Sequence, residues 1–221
     1  MKILITGTAG GIGRATAEYF LERGHEVYGL DITGPAIEHA RYTHYIADVR
    51  EPESFPAFAG EEMPEILVTC AGVQDTGQDI EVNLKGVINV TEHYAIGSDR
   101  IRSVVHVGSA SAHTGSEFPE YAASKGGILA YTKNVALRLA PQATCNSIDP
   151  GGVMTDLNQC VIEDEKLWEK IMDLTPMKRW ASPEEIAEWI YFVGVTNRFM
   201  TGQNLLIDGG EAGNMTFVWP E

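Results

Sequence analysis

Tyr121 and Lys125 form a candidate catalytic pair, because they stand four positions apart in Tyr-Ala-Ala-Ser-Lys. Residues at positions i and i+4 share one face of a helix. An ammonium group near a phenol favours the phenolate and so lowers the phenol pKa from about 10. A phenolate can act as a general base toward a hydroxyl group. Such pairs are also frequent on helix surfaces, so the spacing alone is a weak indication.

Two further polar residues could join that pair. Ser109 follows a predicted strand and lies 12 residues before Tyr121. Its hydroxyl could orient a carbonyl oxygen or donate a hydrogen bond to it. Asn83 falls inside a predicted helix, where asparagine has a poor propensity, and this position indicates a role for its side chain.

The glycine-rich segment Gly7–Gly13 lies between a predicted strand and a predicted helix. Glycines let the backbone turn tightly and approach a pyrophosphate without a Cβ clash. The helix that follows offers free N–H groups to an anion. An ordinary glycine-rich turn is the alternative, but the flanking strand and helix favour a phosphate cradle. A Walker loop is excluded, since no Gly-Lys-Ser/Thr follows.

Asp31 closes the second predicted strand, 18 residues after Gly13. A carboxylate there can accept hydrogen bonds from an adenosine ribose and would repel a 2′-phosphate. Neither Gly10 nor Ile32 supplies a cation that would reverse this preference. We therefore expect NAD rather than NADP. Asp48, after the third strand, could lie beside the adenine, or it could cap a turn ahead of the next proline.

Short apolar runs alternate with helical patterns along the chain. Most of the runs are nearly continuous, as expected for strands covered on both faces. The predicted strands are Lys2–Thr6, Glu26–Leu30, His44–Ile46, Ile66–Cys70, Ser103–Val107, Thr144–Ile148 and Asn204–Ile207. Two long helices are predicted at Asp79–Ala95 and Ala122–Leu139, and Ser182 with Glu185 predicts a capping box. The pattern predicts a doubly wound α/β fold, a parallel sheet of about seven strands with helices on both faces.

Composition limits the partners and the compartment. The chain has 221 residues and a net charge of −15, a field that repels nucleic acid and anionic membrane surfaces. No apolar run approaches the 18 residues or so of a membrane span. The three dispersed cysteines favour neither a disulfide framework nor a metal site. We therefore expect a cytoplasmic protein without a metal, folded as one domain over residues 1–221.

The motifs taken together resemble the classical short-chain dehydrogenase/reductase family. The shared motifs run through essentially the whole chain and are the Gly7/Gly11/Gly13 loop, Ala71-Gly72, Asn83 in Asn-Leu-x-Gly, Ser109, Tyr121 with Lys125, Asn146-x-x-x-Pro150-Gly151, and Thr201-Gly202-Gln203 with Asp208-Gly209-Gly210. The resemblance implies a Rossmann-type fold. It also implies NAD(P)-dependent oxidation of a secondary alcohol or reduction of a ketone, and a homo-oligomer.

The resemblance also implies residue roles. Tyr121 would be the acid/base, and Lys125 would hold the nicotinamide ribose and tune Tyr121. Ser109 would steady the substrate oxygen, and Asn83 would support a water-linked proton relay. The candidate cofactor-binding residues are Gly7, Gly10, Gly11, Ile12, Gly13, Asp31, Asp48, Val49, Ala71, Gly72, Tyr121, Lys125, Pro150, Gly151, Val153 and Thr155.

Three stretches are most similar to the bacterial 3α-hydroxysteroid dehydrogenase/carbonyl reductase type, namely Leu67–Gly72, Gly108–His113 and Ile207–Gly210. They favour a hydroxysteroid or a small carbonyl compound as the substrate. A sugar or polyol dehydrogenase of the same family and a non-catalytic dinucleotide-sensing protein are the alternatives. A sugar-nucleotide epimerase or dehydratase fits less well, because the chain ends soon after the seventh strand. The sensor is disfavoured by the retained Tyr–Lys pair.

Four expectations concern the surroundings of the site. Residues 155–176 read as an amphipathic helix that covers the substrate, and the acidic residues 163–165 within it read as a solvated face. His113 is expected to be a loop histidine without a catalytic task. Asp149 would favour the oxidised cofactor if it faced the nicotinamide, but we expect it to point aside. The apolar tail 215–221 is expected to dock on its own subunit or on a partner.

Overall fold

A computed structural model describes residues 1–116 and 118–213, so the expected docking of the tail 215–221 lies outside the described residues. Seven strands are present in the described part: β1 Lys2–Thr6, β2 Glu26–Asp31, β3 Tyr42–Ile46, β4 Ile66–Thr69, β5 Ser103–Val107, β6 Thr144–Pro150 and β7 Asn204–Ile207. They form one sheet in the order β3-β2-β1-β4-β5-β6-β7, and every neighbouring pair is parallel.

The helices lie in the connections between these strands. They are α1 Gly11–Glu22, α2 Gly86–Tyr94, α3 Ser111–Thr114, α4 Pro119–Leu139, α5 Gln159–Ile162, α6 Glu165–Leu174 and α7 Pro183–Tyr191. Two π-helical stretches adjoin them, Ile80–Lys85 before α2 and Phe192–Thr196 after α7. Short 3₁₀ turns occur at Pro52–Ser54, Gly60–Glu62, Asp156–Asn158 and Glu211–Gly213. Among the described helices, none has the length and apolarity to cross a membrane.

Apolar packing covers both faces of the sheet. Leu4 of β1 belongs to a buried cluster shared with α2 and α4. Its neighbours Ile3 and Ile5 belong to a second cluster, which includes residues of α1 and α7. Successive side chains of a strand point to opposite faces, so a strand with a helical layer on each side, such as β1, is apolar at nearly every position. The predicted doubly wound parallel sheet is therefore confirmed.

The element boundaries differ from the sequence prediction in informative places. The helix predicted from Asp79 is π-helical over Ile80–Lys85 and becomes α-helical only at Gly86. The capping box is present: Glu185 N donates to Ser182 Oγ at 3.3 Å, and Ser182 N donates to Glu185 Oε2 at 2.9 Å.

The covering segment 155–176 is not a single helix, contrary to the expectation. It forms a 3₁₀ turn and the two helices α5 and α6. The reason lies in its acidic run, which was expected to be only a solvated face. Asp164 accepts hydrogen bonds from the backbone N–H groups of Lys166 and Leu167 and so starts a new helix.

The strand order reverses between β1 and β4. Chains leaving the carboxyl ends of these two strands turn away from each other and leave a crevice between them. Parallel pairing also brings the ends of β2, β5 and β6 to the same edge of the sheet. The fold therefore gathers chain segments that are far apart in sequence at this crevice.

Candidate active site

The glycine loop is packed so closely that side chains are excluded from it. A Cβ built on Gly13 would lie 2.1 Å from the carbonyl oxygen of Gly7. Gly7 has a φ of +76°, and a Cβ there would lie 2.8 Å from the Ala71 backbone nitrogen. The first turn of α1 therefore approaches the loop closely, and Gly10, its N-cap, offers no side chain to cap it. The N–H groups of that turn can receive an anion.

A cavity of about 600 Å³, here called the loop cavity, lies over this loop. It contains most of the predicted cofactor-binding residues. Those that line it are Gly7, Gly10, Gly11, Ile12, Gly13, Asp31, Asp48, Val49, Ala71, Gly72 and Thr155. The structure thus brings the glycine loop, the end of β2 and the end of β4 to one continuous surface.

Asp31 is fixed at the rim of the loop cavity by three donors. Its Oδ2 accepts a hydrogen bond from Ala9 N at 3.0 Å, and its Oδ1 accepts from Thr33 N and Thr33 Oγ1, both at 3.0 Å. The carboxylate therefore joins the glycine loop to the loop after β2. A second network braces the same region, since Tyr42 OH contacts Thr8 Oγ1 at 2.9 Å and His44 Nδ1 at 2.8 Å. Sequence reasoning missed this network, because it joins residues 34 positions apart.

Asp48 is paired with a residue that the sequence analysis did not select. Its Oδ2 lies 2.5 Å from Nη2 of Arg50, and this hydrogen bond holds the pKa of Asp48 below its usual range. Arg50 also lines the loop cavity. The carboxylate of Asp48 is therefore engaged with Arg50, and Arg50 presents a guanidinium to the cavity. In the sequence, the only indication of this ion pair is that Asp48 and Arg50 stand two positions apart.

A smaller cavity of about 120 Å³, here called the middle cavity, adjoins the loop cavity. The two share a wall made of Ile12, Cys70, Gly72, Val73, Thr155 and Leu157. On its far side the middle cavity is lined by Tyr121, Lys125, Pro150 and Val153. These are the remaining predicted cofactor contacts, except for Gly151.

Lys125 is buried beneath the middle cavity, with only 6% of its surface exposed. Its Nζ donates a hydrogen bond to the carbonyl oxygen of Val107 at 3.1 Å and lies 5.7 Å from the centroid of the Tyr121 ring. Burial lowers the pKa of Lys125 to about 8, while the carboxylates of Asp149 and Asp79 oppose that shift. A titratable ammonium thus lies under the Tyr121 ring, as the spacing of four residues predicts.

Asn83 is fully buried in the π-helical stretch before α2. Its Oδ1 accepts from Val73 N at 2.8 Å, and its Nδ2 donates to Val73 O at 2.9 Å and to Ser124 Oγ at 3.2 Å. A Cβ built on Gly72 would lie 3.1 Å from Oδ1 of Asn83 and 3.5 Å from Nζ of Lys125. The side chain therefore clamps the chain after β4 and stands next to the ammonium group, behind the cavity wall.

Beyond Tyr121 lies a cavity of about 430 Å³, here called the outer cavity. Ser109, Tyr121 and Gly151 line its inner end, and Val161, Ile171 and Leu174 of the covering segment line its outer side. It shares Gln74, Tyr121 and Asn158 with the middle cavity. The three cavities are therefore arranged in series, and Tyr121 stands between the last two.

Asp149 and His113 form a pair at the side of these cavities. Asp149 is fully buried, and its Oδ2 lies 2.7 Å from Nε2 of His113. Burial raises the pKa of Asp149, and the contact with His113 opposes that shift. Neither residue is among those that line the three cavities. Asp149 therefore points aside, toward α3. His113 belongs to that short helix rather than to a loop, contrary to expectation.

Comparison with known proteins decides the family. A model of the short-chain dehydrogenase type, described as enoyl-(acyl carrier protein) reductase, matches residues 7–211. The chain belongs to the classical short-chain dehydrogenase/reductase family. A 3-oxoacyl-(acyl-carrier-protein) reductase of Thermotoga maritima is 31% identical over an alignment of 238 positions. The alignment covers 94% of this chain and 96% of that protein.

Solved structures agree with this assignment. The ligand-free aldohexose dehydrogenase of Thermoplasma acidophilum has a TM-score of 0.82 and 28% identity, covering 100% of this chain and 97% of that one. A 4-hydroxyisoleucine dehydrogenase complexed with NADH has a TM-score of 0.86 and 26% identity, covering 97% of this chain and 99% of that one. The protein is accordingly an oxidoreductase of alcohols or ketones from a family that binds a nicotinamide dinucleotide.

The residues present fit such a cofactor. A glycine cradle with no room for a Cβ at Gly7 or Gly13, an open helix N-terminus and a carboxylate at the end of β2 match a pyrophosphate and a ribose. Within residues 1–116 and 118–213, no cluster of three or more potential metal ligands is found.

The glycine cradle can be tested directly. We expect Gly13→Ala to weaken NADH binding at least tenfold, about 1.4 kcal/mol, because the added Cβ would lie 2.1 Å from Gly7 O and displace the loop. A titration followed by NADH fluorescence measures this affinity. Gly10→Ala is the matched control for folding, since a Cβ there meets nothing within 4 Å. Its thermal midpoint should stay within about 2 °C of the parent. An unchanged NADH affinity in Gly13→Ala would remove the loop from the binding site.

Proposed function

We propose that the protein is an NAD(H)-dependent oxidoreductase that interconverts a secondary alcohol and a ketone. The observation that carries the proposal is the series of three cavities, with Tyr121 standing between the middle and outer ones. The loop and middle cavities suit an extended dinucleotide, and the outer cavity suits a small substrate. When bound, the nicotinamide would supply the two-electron redox step. The protein would supply orientation, proton transfer and electrostatics.

The proposed catalytic roles follow from the positions of four side chains. Tyr121 takes the proton of the substrate hydroxyl in oxidation and returns it in reduction. The buried ammonium of Lys125, 5.7 Å from the Tyr121 ring centroid, favours the phenolate form and stands where a nicotinamide ribose would be held. Ser109 shares the outer cavity with Tyr121 and donates a hydrogen bond to the substrate oxygen. Asn83 holds the segment at Val73 and supports the proton relay behind Lys125.

The preference for NAD is part of the proposal. It is supported by Asp31, whose carboxylate lines the loop cavity with both oxygens ordered by backbone and hydroxyl donors. A negative charge there would repel the 2′-phosphate of NADP. Arg50 lines the same cavity, but its positive charge is paired with Asp48, whose Oδ2 lies 2.5 Å from Nη2 of Arg50.

Two substrate classes have support within this proposal. The apolar wall formed by Val161, Ile171 and Leu174 favours a hydroxysteroid or a small apolar carbonyl compound. The hydroxyl and amide groups on the opposite wall favour a sugar or polyol, and one similar structure is an aldohexose dehydrogenase. A non-catalytic dinucleotide sensor has no such support, because it would not need Ser109 and Tyr121 in a shared cavity.

The proposal extends to the organisation of the protein. Residues 1–221 would act as a single dinucleotide-binding catalytic domain in which segment 155–176 covers the substrate. That segment lines both the loop and the outer cavity, and none of its residues in α6 is buried. A homo-oligomer is supported by exposed aromatic groups such as Phe199, which is 96% exposed. A cytoplasmic location is supported by the three free cysteines.

Replacement of Tyr121 tests the central role. We expect Tyr121→Phe to lower turnover at least a hundredfold, because proton transfer contributes about that much or more. NADH affinity should change little, since the ring is kept. Stopped-flow reduction of NAD across secondary alcohols and a fluorescence titration with NADH measure the two quantities. A Tyr121→Phe variant with the same turnover as the parent protein would contradict the proposal. A parent protein that binds NADH yet oxidises none of the alcohols would contradict it as well.

Replacement of Asp31 tests the cofactor preference. Asp31→Asn keeps the shape of the side chain and removes its charge, while one of its two acceptor oxygens becomes an amide donor. We expect the ratio of kcat/KM for NADP to that for NAD to rise at least tenfold, about 1.4 kcal/mol. Asp99→Asn, an exposed change in the loop before β5, is the matched control. If both variants keep the ratio of the parent, Asp31 does not select the cofactor.

The pH dependence tests the Lys125–Tyr121 pair. We expect kcat/KM for alcohol oxidation to rise with pH and level off as Tyr121 loses its proton. The pKa of Lys125 is about 8, so its ammonium form predominates below that pH and favours the phenolate there. Lys125→Met removes this charge, and the inflection of the pH profile should move upward by about one unit. Lys133→Met, an exposed change on α4, should leave the inflection in place. An inflection that Lys125→Met does not move would contradict the pairing.

A further inference from the structure

The outer cavity holds a carboxylate whose role the assigned catalytic residues do not explain. Glu211 begins the turn after β7 and lines this cavity together with Ser109 and Tyr121. A Cβ built on Gly151 would lie 3.2 Å from its Oε2. Glu211 therefore lies against Gly151 in the wall of the cavity that Ser109 and Tyr121 also line.

The orientation of this carboxylate is fixed by a buried partner. Thr175 Oγ1 lies 2.7 Å from Glu211 Oε1 and 2.9 Å from the carbonyl oxygen of Ile171, so its one hydroxyl proton is shared between these two acceptors, and Thr175 is only 1% exposed. One carboxylate oxygen is thereby held by the protein. Oε2 has no hydrogen-bond donor in the described part of the chain and adjoins Gly151 of the cavity wall. A carboxylate arranged in this way can accept a hydrogen bond from a ligand.

The rest of the cavity wall disfavours an anionic ligand. Among the described residues that line the outer cavity there is no lysine, arginine or histidine. The other polar side chains that line this cavity, apart from Tyr121, carry neutral hydroxyl, amide or indole groups, among them Gln74, Ser116 and Trp180. A carboxylate or phosphate group in this cavity would meet the Glu211 charge without a compensating cation among the described lining residues. The net charge of −15 adds to that repulsion at longer range.

We propose that Glu211 is a specificity-determining residue that selects neutral substrates with a second hydroxyl group next to the reacting secondary alcohol, as in a polyol or a neutral sugar. This inference rests on the proposed function and names the substrate class of the same site. The second hydroxyl donates to Oε2 of Glu211, while Ser109 and Tyr121 hold the reacting oxygen. The neutral hydroxyls and amides of the wall bind the remaining hydroxyl groups. Anionic hydroxy acids are rejected by Glu211.

Binding of matched ring alcohols tests the proposal without turnover. The probes are cyclohexanol, trans-cyclohexane-1,2-diol, 3-hydroxycyclohexane-1-carboxylate and 2-aminocyclohexanol, titrated calorimetrically into the protein–NADH complex, in which an alcohol cannot react. Hydrogen bonds to charged groups contribute enough for a tenfold to hundredfold preference. We expect the diol to bind at least tenfold more tightly than cyclohexanol and the carboxylate to bind most weakly.

Three variants and one control variant test which residue causes the diol preference. Glu211→Ala should reduce the diol-to-cyclohexanol affinity ratio at least tenfold, and Thr175→Val should reduce it by a smaller factor, because the carboxylate is then less ordered. Glu211→Gln should keep most of the diol preference, since an amide still accepts a hydroxyl, and should strengthen binding of the carboxylate probe. Glu169→Ala, an exposed change on α6, removes the same charge and should leave the ratio unchanged.

The outcomes separate this inference from the proposed function. A diol preference that is unchanged in Glu211→Ala overturns the inference, and so does a parent protein that binds the carboxylate or the ammonium probe most tightly. Those results are compatible with NAD reduction by any of the alcohols. Conversely, a diol preference that depends on Glu211 supports the inference even if NAD is not reduced, and in that case it is the proposed oxidoreductase activity that fails.

Discussion

The ammonium group of Lys125 must remain chargeable in a place that water hardly reaches, and the arrangement of the site follows from that constraint. Only 6% of the residue is exposed, and burial lowers its pKa to about 8. A buried cation is costly unless hydrogen-bonding partners or opposite charges surround it. Val107 O accepts a hydrogen bond from it, and the carboxylates of Asp79 and Asp149 favour its charged form. Buried polar groups therefore surround this ammonium group behind Tyr121.

The same buried groups fix the backbone around the cavities. Asn83 clamps Val73 through two hydrogen bonds, and Asp79 accepts from Asp75 N at 2.9 Å and Thr76 N at 3.0 Å. These contacts order the short connection after β4, whose residue Gln74 borders both the middle and the outer cavity. A catalytic site needs its groups held to within a fraction of an ångström. Buried side-chain hydrogen bonds provide that order where the chain has no regular secondary structure.

The two ends of the site differ in how they are built. The loop cavity is shaped mainly by backbone, because Gly7 and Gly13 exclude side chains from the turn. The outer cavity is shaped by side chains from the covering segment and by Trp180, whose ring packs against that of Trp168 with the centroids 5.0 Å apart. A backbone cradle suits a pyrophosphate common to a whole family, whereas exchangeable side chains suit substrates that differ between members. The backbone thus shapes the loop cavity, whereas side chains shape the outer cavity.

Features that depend on local spacing could be predicted from the sequence. Apolar runs predicted all seven strands, the Ser182–Glu185 pattern predicted a capping box, and the separation of Tyr121 from Lys125 placed both on one helical face. Only the tertiary structure decided which distant groups meet. The pairing of Asp149 with His113 and the position of Glu211 in the outer cavity join segments 36 residues or more apart, and strand order brings them together. The π-helical turn at Asn83 likewise depends on packing, because local propensity does not distinguish it from an α-helix.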